Sequence, residues 1–286
     1  MLSFPELNTL ETHLGHPVLV LGAVNLELDL VAELYEALHT IDGHERLGVL
    51  IYTRGGIVNA ARRIALLLRE RFEHITFIAP HYCESAGTLT VLSGDHIVAS
   101  PASIFSPIDP QLSGTGEGSG PAAVSSQDVR LFGEMAKAWF HLSDDEVRSN
   151  ALSTMAEAMF PTTLTAFYRT TLEVKTIAHE LLALHRCERS SQARGEIVDR
   201  LLFEHHSHNY AVTAQELKLL GLSVASDETI EPASWAVARR LGTRLGAGTR
   251  TRDDEDWTDT VVATRARVRW RRVSHQGMGF TWEGNG

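Results

Sequence analysis

The sequence is poor in cysteine, in basic residues and in long apolar runs. Its 286 residues include two cysteines, Cys83 and Cys187, which are too few for a disulfide framework and fit no zinc-ligand spacing. The formal net charge of −10 argues against a general nucleic-acid binder. No window reaches the roughly 18 apolar residues of a membrane span, and the N-terminal residues lack the basic segment of a secretion signal. We therefore expect a cytoplasmic protein that binds neither membranes nor nucleic acids.

Apolar runs of strand length alternate with stretches of helical spacing over the first hundred residues. The strand-like runs are 17–23, 46–53, 74–80, 96–100 and 103–105, and the helical stretches between them are 28–41, 58–72 and 86–94. The runs lack a two-residue alternation, which is typical of a parallel sheet covered on both faces. The pattern predicts an α/β fold.

The remaining chain predicts a loop, a helical region and a β tail. Residues 111–126 contain four glycines and four serines and predict a flexible surface loop. Helical spacing dominates 127–245, and alternation over 260–273, followed by "HQGMG" and "FTWEG", predicts a terminal hairpin. We thus divide the chain into a core with its site (1–110), a loop (111–126), a helical region that makes oligomer contacts (127–245) and a tail (246–286).

Ser85 stands where an apolar strand turns into a buried helix, in "CESAGT". The first N–H groups of a helix have no partner within the helix, and its dipole favours negative charge there. Such a serine is either an N-cap or a nucleophile whose neighbouring N–H holds an oxyanion. This stretch alone leaves both interpretations open.

Gly55 and Gly56 form a second turn of this kind, in "YTRGG". Paired glycines allow a positive φ and let the backbone lie against a ligand. They are either a tight strand-to-helix turn or a source of another oxyanion donor. Two such turns on successive strand–helix units favour a site.

The motifs "YTRGG", "SAGT", "GDHIVAS" and "SPIDPQL", in this order, resemble the serine dehydrogenase proteinase family. This family lies within the class of Clp proteases and signal peptide peptidases, and the similarity continues through "FYRTTLEVKTIAHELL" and "SHNYAVTAQELKLLGLSV", over roughly residues 15–225. The resemblance implies a ClpP/crotonase-like spiral of β-β-α units, a covalent serine mechanism, no cofactor or metal, and a homo-oligomer.

The resemblance also implies the roles of several residues. Ser85 would be the nucleophile, and the N–H of Ala86 with one from Gly55 or Gly56 would form the oxyanion hole. Residues 56–58, which include Ile57 and Val58, would pair with an extended peptide substrate. Arg54 stands where relatives often have proline. Unlike proline, arginine has a free backbone N–H, and it would add a charge at the cleft.

The sequence offers several candidates for the general base. The strand segment "SIFSPIDP" lacks the histidine that Clp proteases have there, whereas the signal peptide peptidase branch uses a lysine. The chain has three lysines, of which we favour Lys137, with Lys175 as an alternative and Lys218 as a surface residue. Each is either a desolvated base or a solvated or snorkelling side chain.

Histidines and one aspartate are further candidates. His205, His206 and His208 lie close together, but no carboxylate or cysteine has the spacing of a metal site, so we expect surface or interface residues. His208 is an alternative base, and His81 is expected to be structural. Asp109 either orients a base or caps a turn, and the turn is the simpler expectation.

Four arginines at alternate positions mark the predicted tail strand: Arg265, Arg267, Arg269 and Arg271. This face is either a basic ribbon for an acidic partner or a solvated strand face that pairs with the acidic residues at 253–256. We expect the tail to pack on a neighbouring subunit.

These observations favour a serine peptidase with a Ser/Lys dyad that acts on peptides or proteins and assembles with copies of itself. A partner ATPase or regulatory protein is a further expectation. Two other functions stay open. One is an assembly module on the same fold that has lost its base, and the other is a crotonase-like acyl-CoA enzyme.

Overall fold

The computed structural model describes residues 2–113, 123–141, 143–158, 161–185, 189–276 and 279–285. Cys187 and the middle of the predicted loop, 114–122, lie outside this set. The strands are β1 (Val18–Ala23), β2 (Arg46–Thr53), β3 (His74–Ala79), β4 (Tyr82–Cys83), β5 (His96–Ala99), β6 (Ile104–Phe105), β7 (Gln111–Ser113), β8 (Ala123–Ser125), β9 (Val224–Ala225), β10 (Trp257–Ala263), β11 (Val268–Val273) and β12 (Phe280–Asn285). The helices are α1 (Glu6–Leu14), α2 (Leu30–His39), α3 (Val58–Arg71), α4 (Ala86–Val91), α5 (Ser126–Phe140), α6 (Asp144–Ala158), α7 (Pro161–Ala183), α8 (Ser191–Phe203), α9 (Ala214–Leu219) and α10 (Glu231–Gly242), with a short 3-10 helix at Ala247–Thr249.

The main sheet has the strand order β12-β11-β10-β1-β2-β3-β5-β9. The pairs β1–β2, β2–β3, β3–β5 and β5–β9 are parallel, and β10, β11 and β12 extend the sheet antiparallel from β1. Parallel neighbours need helical crossovers, which α2, α3 and α4 provide along the chain. The predicted α/β fold with a helical region and a C-terminal β extension is confirmed.

Both faces of the parallel sheet are buried, which explains the unbroken apolar strands. Successive side chains of β1 point to opposite faces. Leu19 and Leu21 pack in the larger core with α2, α3, α7 and α8, whereas Val18 and Val20 pack in a smaller core with α1 and α10. A strand that is apolar at every position is therefore required in this sheet.

Two short strands build the β-β-α steps that the resemblance implied. β4 follows β3 and β6 follows β5, and the two pair in parallel through Tyr82–Ile104 and Cys83–Phe105. β4 also pairs with the end of β2, through Thr53 and Cys83. Because parallel strands end at the same edge, this pairing brings the turn after Thr53 beside the turn after Cys83.

The helical region follows the prediction with small shifts. The predicted helices 127–140, 143–159 and 163–185 correspond to α5, α6 and α7, whereas the predicted polar break at 189–196 already contains the start of α8 at Ser191. β7 and β8, which flank the undescribed part of the loop, pair with each other. Among the described residues, no helix combines the length and the apolar character that crossing a bilayer requires.

The tail differs from the prediction in one respect: the run 260–273 is two strands, because a turn separates β10 from β11. The amide of Thr264 donates to the carbonyl of Arg267 at 2.8 Å and closes this turn. The arginines meet acidic side chains of the same chain: Arg267 pairs with Glu33 of α2 at 2.9 Å. The tail thus pairs with β1 and α2 of its own chain, and its packing on a neighbouring subunit stays a prediction.

Candidate active site

Ser85 has a strained backbone at the turn between β4 and α4. Its φ of 50° and ψ of −112° lie in a region that non-glycine residues rarely adopt, at a cost of about 1 to 3 kcal/mol. Its amide donates to Oγ of Ser106 at 2.7 Å. This hydrogen bond ties the turn to the residue that follows β6. Although Ser85 is at the N-cap position, its side chain makes no capping hydrogen bond. The hydroxyl is thus left for another role, and the capping interpretation is not supported.

The close approach of α4 to β2 depends on Gly87. A Cβ at this position would lie 2.5 Å from Thr53 Cγ2, which is buried at the end of β2. The glycine in "SAGT" therefore lets the helix that follows Ser85 start against the neighbouring strand. Cys83, the nearest other nucleophile, is fully buried, and burial raises the pKa of its thiol. It cannot compete with Ser85.

Gly55 and Gly56 lie against Ser85 and have φ values of 131° and 132°. A Cβ on Gly55 would be 2.9 Å from Ser85 Cβ and 3.4 Å from Ser85 Oγ. A Cβ on Gly56 would be 2.3 Å from the amide nitrogen of Leu26, so that position excludes any side chain. Two backbone hydrogen bonds, from Leu26 N to Gly55 O at 2.7 Å and from Ile57 N to Leu26 O at 2.8 Å, hold the turn.

The amides of Gly56 and Ala86 have no acceptor among the described residues. Gly56 lies between two hydrogen bonds made by its neighbours, and Ala86 is the first residue of α4, where helical acceptors are lacking. Both residues line the same cleft as Ser85. Two free N–H donors beside a hydroxyl are the elements of an oxyanion hole.

Asp109 and His208 form a pair on the other side of this cleft. His208 Nδ1 lies 2.9 Å from Asp109 Oδ1, and Asp109 Oδ2 accepts a hydrogen bond from Ser125 Oγ at 2.5 Å. Asp109 is 2% exposed. Because the carboxylate favours a proton on Nδ1, Nε2 of the neutral ring is the acceptor. The turn-capping role expected for Asp109 gives way to contact with an imidazole.

A β-bridge brings these two residues together across 99 positions of sequence. Phe105 at the end of β6 and Val212 exchange both backbone hydrogen bonds at 2.9 Å. The bridge docks the loop between α8 and α9, which carries His208, beside the segment that leads to Asp109. The signals in the sequence were Asp109-Pro110 at a strand end and the turn residues Ser207 and Asn209 around His208.

The cleft has a volume of about 570 Å³. Ser85, Ala86, Gly56, Asp109 and His208 line it, together with the predicted substrate residues Ile57 and Val58. Ser85 and His208 both border the cleft, and among the described residues no hydrogen bond joins their side chains. The cleft can thus hold a carbonyl group near one hydroxyl, one imidazole and two amides.

The backbone of Ile57 is already used within the chain. Its N–H donates to Leu26, and its carbonyl accepts from Ala60 and Ala61 at the start of α3. Ile57 is 49% exposed and offers its side chain to the cleft.

Arg54 does not leave its N–H free, contrary to the expectation from the sequence. This N–H donates to Val24 O at 3.3 Å, and the guanidinium pairs with Glu84 at 3.0 Å.

None of the three lysines is among the described residues that line this cleft. Lys137 on α5 forms an ion pair with Asp144. Lys175 on α7 pairs with Asp199 at 2.6 Å. Lys218 borders a separate cavity near Ser100. Ser85 and the alternative base His208 line the same cleft, whereas Lys137 and Lys175 form ion pairs elsewhere.

His81 and His205 make contacts outside the cleft. His81 Nδ1 lies 2.9 Å from the carbonyl of Ala102, and its ring packs on Tyr82. His205 stacks on Tyr210 with ring centroids 4.3 Å apart. No group of three potential metal ligands occurs within the part of the chain that the structure describes.

Comparison with known proteins gives similar chains of unknown function and distant structural neighbours. Two uncharacterized proteins of Methanocaldococcus jannaschii are 27% identical over 178 residues (62% of this chain, 51% of the relative) and 25% identical over 193 residues (67% and 58%). The chain thus spans little more than half the length of these curated relatives.

Two solved structures are similar at low identity. A mutant of the 1510-N membrane-bound stomatin-specific protease has a TM-score of 0.42 and 13% identity, covering 78% of this chain and 83% of that chain. ClpP1 from Listeria monocytogenes has a TM-score of 0.42 and 12% identity, covering 75% and 94%.

One family match contains most of the site. Residues 12–131 match the family described as ClpP-like SDH-type serine proteinases. The matched range includes Ser85, both glycines and Asp109, whereas His208 lies beyond it. The resemblance that the motifs predicted is therefore confirmed over residues 12–131, which are similar to the ClpP-like SDH-type serine proteinases.

Proposed function

We propose that this chain is a serine peptidase in which Ser85 is the nucleophile, His208 the general base and Asp109 the group that orients His208. The observation that carries the proposal is one cleft shared by the strained Ser85, two amides without acceptors, and the pair of buried Asp109 and partly buried His208. This arrangement favours His208 over Lys137 and Lys175, which are committed to ion pairs away from the cleft.

The residues account for each proton of peptide hydrolysis. Ser85 Oγ attacks the carbonyl carbon and passes its proton to His208 Nε2, while the carbonyl electrons move to the oxygen that Gly56 and Ala86 hold. Collapse of this intermediate breaks the C–N bond, and His208 protonates the departing amine. Water then repeats the sequence on the acyl-enzyme. Asp109 stabilises the imidazolium that exists between the two transfers.

The backbone of Ile57 is not available for the strand-like pairing with substrate that the resemblance implies. Ile57 and Val58 border the cleft, and the N–H and C=O of Ile57 are used within the chain. We therefore propose that they bind a peptide through their side chains, while Gly56 provides the backbone donor. The carboxylate of Glu173, which accepts from Asn59 at 2.7 Å, lines the same cleft.

The test is labelling by a fluorophosphonate probe, which needs an activated serine and no knowledge of the substrate. We expect wild type to be labelled, Ser85→Ala to take no label, and His208→Gln to be labelled about 100-fold more slowly or worse. His205→Gln is the matched control for a nearby histidine, and Lys137→Met and Lys175→Met are the controls for the rival base. Labelling that survives Ser85→Ala, or that depends on a lysine and not on His208, would reject the assignment.

The two other functions have distinct outcomes in the same experiment. An assembly module predicts no labelling of wild type. A crotonase-like acyl-CoA enzyme predicts turnover of a thioester without serine labelling. The presence of an oriented imidazole in the cleft favours the peptidase over the module.

We also propose that the chain assembles with copies of itself through the helical region. Large apolar side chains are exposed on α5 and α7: Trp139 is 75% exposed, Phe140 64% and Tyr168 66%. Covering such side chains is favourable in proportion to the apolar area removed from water. Light scattering after size exclusion, on wild type and on Trp139→Ser, tests this proposal. A partner ATPase and a location in the cytoplasm stay predictions.

A further inference from the structure

Arg271 is a buried cation that three carboxylates share. It lies on β11 and is 2% exposed. Its Nε and Nη2 donate to the two oxygens of Asp259 at 2.8 Å, and its Nη1 donates to Glu27 at 2.8 Å and to Asp29 at 2.7 Å. A guanidinium is suited to such use because its donors form a rigid fork. The cluster joins the C-terminal tail to the start of α2.

The segment from Val24 to Asp29, which Arg271 holds, is the backbone partner of the glycine turn. The backbone carbonyl of Asp259, on β10, accepts a hydrogen bond from Val24 N at 2.8 Å. The tail therefore contacts one end of the segment through its backbone and the other end, at Asp29, through the side chain of Arg271. The same segment makes three hydrogen bonds with residues 54–57, from Arg54 N to Val24 O, from Leu26 N to Gly55 O and from Ile57 N to Leu26 O.

The contact at Gly56 is too close to allow independent movement. Leu26 N and O would both lie within 2.4 Å of a Cβ at Gly56. A shift of the segment at Leu26 therefore changes the direction of the Gly56 N–H, which is one of the two donors in the cleft. Displacement of a donor by a fraction of an ångström weakens transition-state binding more than substrate binding.

We propose that Arg271 is a positioning residue for the oxyanion hole: it fixes the segment Val24–Asp29, and this segment fixes Gly55 and Gly56. The inference rests on the proposed function, since it gives the Gly56 amide a catalytic use. It assigns a role to the arginine-rich strand that the family match over residues 12–131 does not include.

The experiment compares Arg271→Lys with Arg269→Lys in the full chain. Arg269 is two positions away on the same strand, and its Nε is 3.6 Å from Glu33 of α2. Arg269→Lys is therefore the same substitution on the same strand, also beside α2, but at a side chain that does not contact the segment Val24–Asp29. Two quantities are measured: the second-order rate of fluorophosphonate labelling, and hydrogen exchange of the amides of Arg54 and Ile57 by mass spectrometry.

We expect Arg271→Lys to slow labelling about tenfold or more and to speed exchange in residues 54–57 by a similar factor, with Arg269→Lys within about twofold of wild type. Asp29→Asn is the milder variant, because Asp29 makes no side-chain cap for α2, and it should change both quantities in the same direction. If Arg271→Lys does not fold, the labelling and exchange rates of Asp29→Asn decide whether the inference stands.

Equal behaviour of the two lysine variants would overturn the inference, as would faster exchange at 54–57 with unchanged labelling. A wild-type protein that takes no label would defeat the proposed function instead. In that case the exchange rates alone decide whether Arg271 fixes the glycine turn, because they require no chemistry at Ser85.

Discussion

Asp109→Asn is the sharpest test of how Ser85 is activated. The carboxylate is 2% exposed and accepts from His208 Nδ1 at 2.9 Å and from Ser125 Oγ at 2.5 Å. An amide of the same shape keeps one acceptor but loses the charge that stabilises protonated His208. A hydrogen bond to a charged group contributes about 1.5 to 3 kcal/mol, so the rate should fall about 10- to 150-fold from this loss alone.

The orientation of the new amide sets the rest of the effect. If its oxygen keeps the hydrogen bond from Ser125, its NH₂ group faces His208 Nδ1. That nitrogen must then accept, so the ring proton moves to Nε2, which can no longer take the proton of Ser85. In this orientation the loss should exceed the range given for the charge and approach about 10⁴-fold.

The assay is the second-order rate of fluorophosphonate labelling, with circular dichroism to confirm the fold. Asp128→Asn is the matched control, since Asp128 also belongs to the Ser125 network, as the capping-box residue of α5, and does not line the cleft. An Asp109→Asn protein that is folded and labelled at the wild-type rate would refute the His208 mechanism. Loss of labelling in Lys137→Met would then restore the lysine dyad.

Two further predictions concern the glycine turn and the nucleophile's helix. Gly56→Ala should lower labelling about 100-fold or more, because the new Cβ meets the backbone of Leu26 and displaces an oxyanion donor; Gly43→Ala, at another positive φ with nothing within 4 Å, is the control, and equal rates would contradict the assignment. His185 Nε2 lies 2.6 Å from the carbonyl of Leu92, and burial lowers its pKa from 6.5 to about 4. Since the folded pKa is below the unfolded one, the stability it contributes is present above pH 6.5 and is lost as the pH falls toward 4, by about 2 to 3 kcal/mol. Urea unfolding at pH 7.5 and 4.5 should show this loss in wild type and a smaller one in His185→Gln; identical losses would contradict it.

The turns of the site could be predicted from the sequence because their causes are local. An apolar strand, two glycines with positive φ, and a serine followed by a small residue and a glycine each require a particular backbone where they stand. The parallel pairing of neighbouring strands then places Gly55 beside Ser85 with no further information. Strand and helix bounds within a few residues of those observed have the same origin.

The base and the tail could not be predicted in this way. The resemblance favours Lys137 because a related branch uses lysine, and nothing in the local sequence shows that this side chain meets Asp144. His208 reaches Asp109 only because Phe105 and Val212 form a bridge between segments that lie far apart in sequence. The sequence likewise leaves open what the arginines of the tail contact, because their acidic partners on α2 come near only when β10 pairs with β1.

The sequence by itself determined the backbone of the nucleophile and oxyanion turns, since steric preference and apolar patterning act over a few residues. Tertiary structure alone decided which charged and titratable groups face those turns. Contacts such as Asp109 with His208, or Arg271 with Asp29, depend on the packing of whole elements, and no short-range preference encodes them.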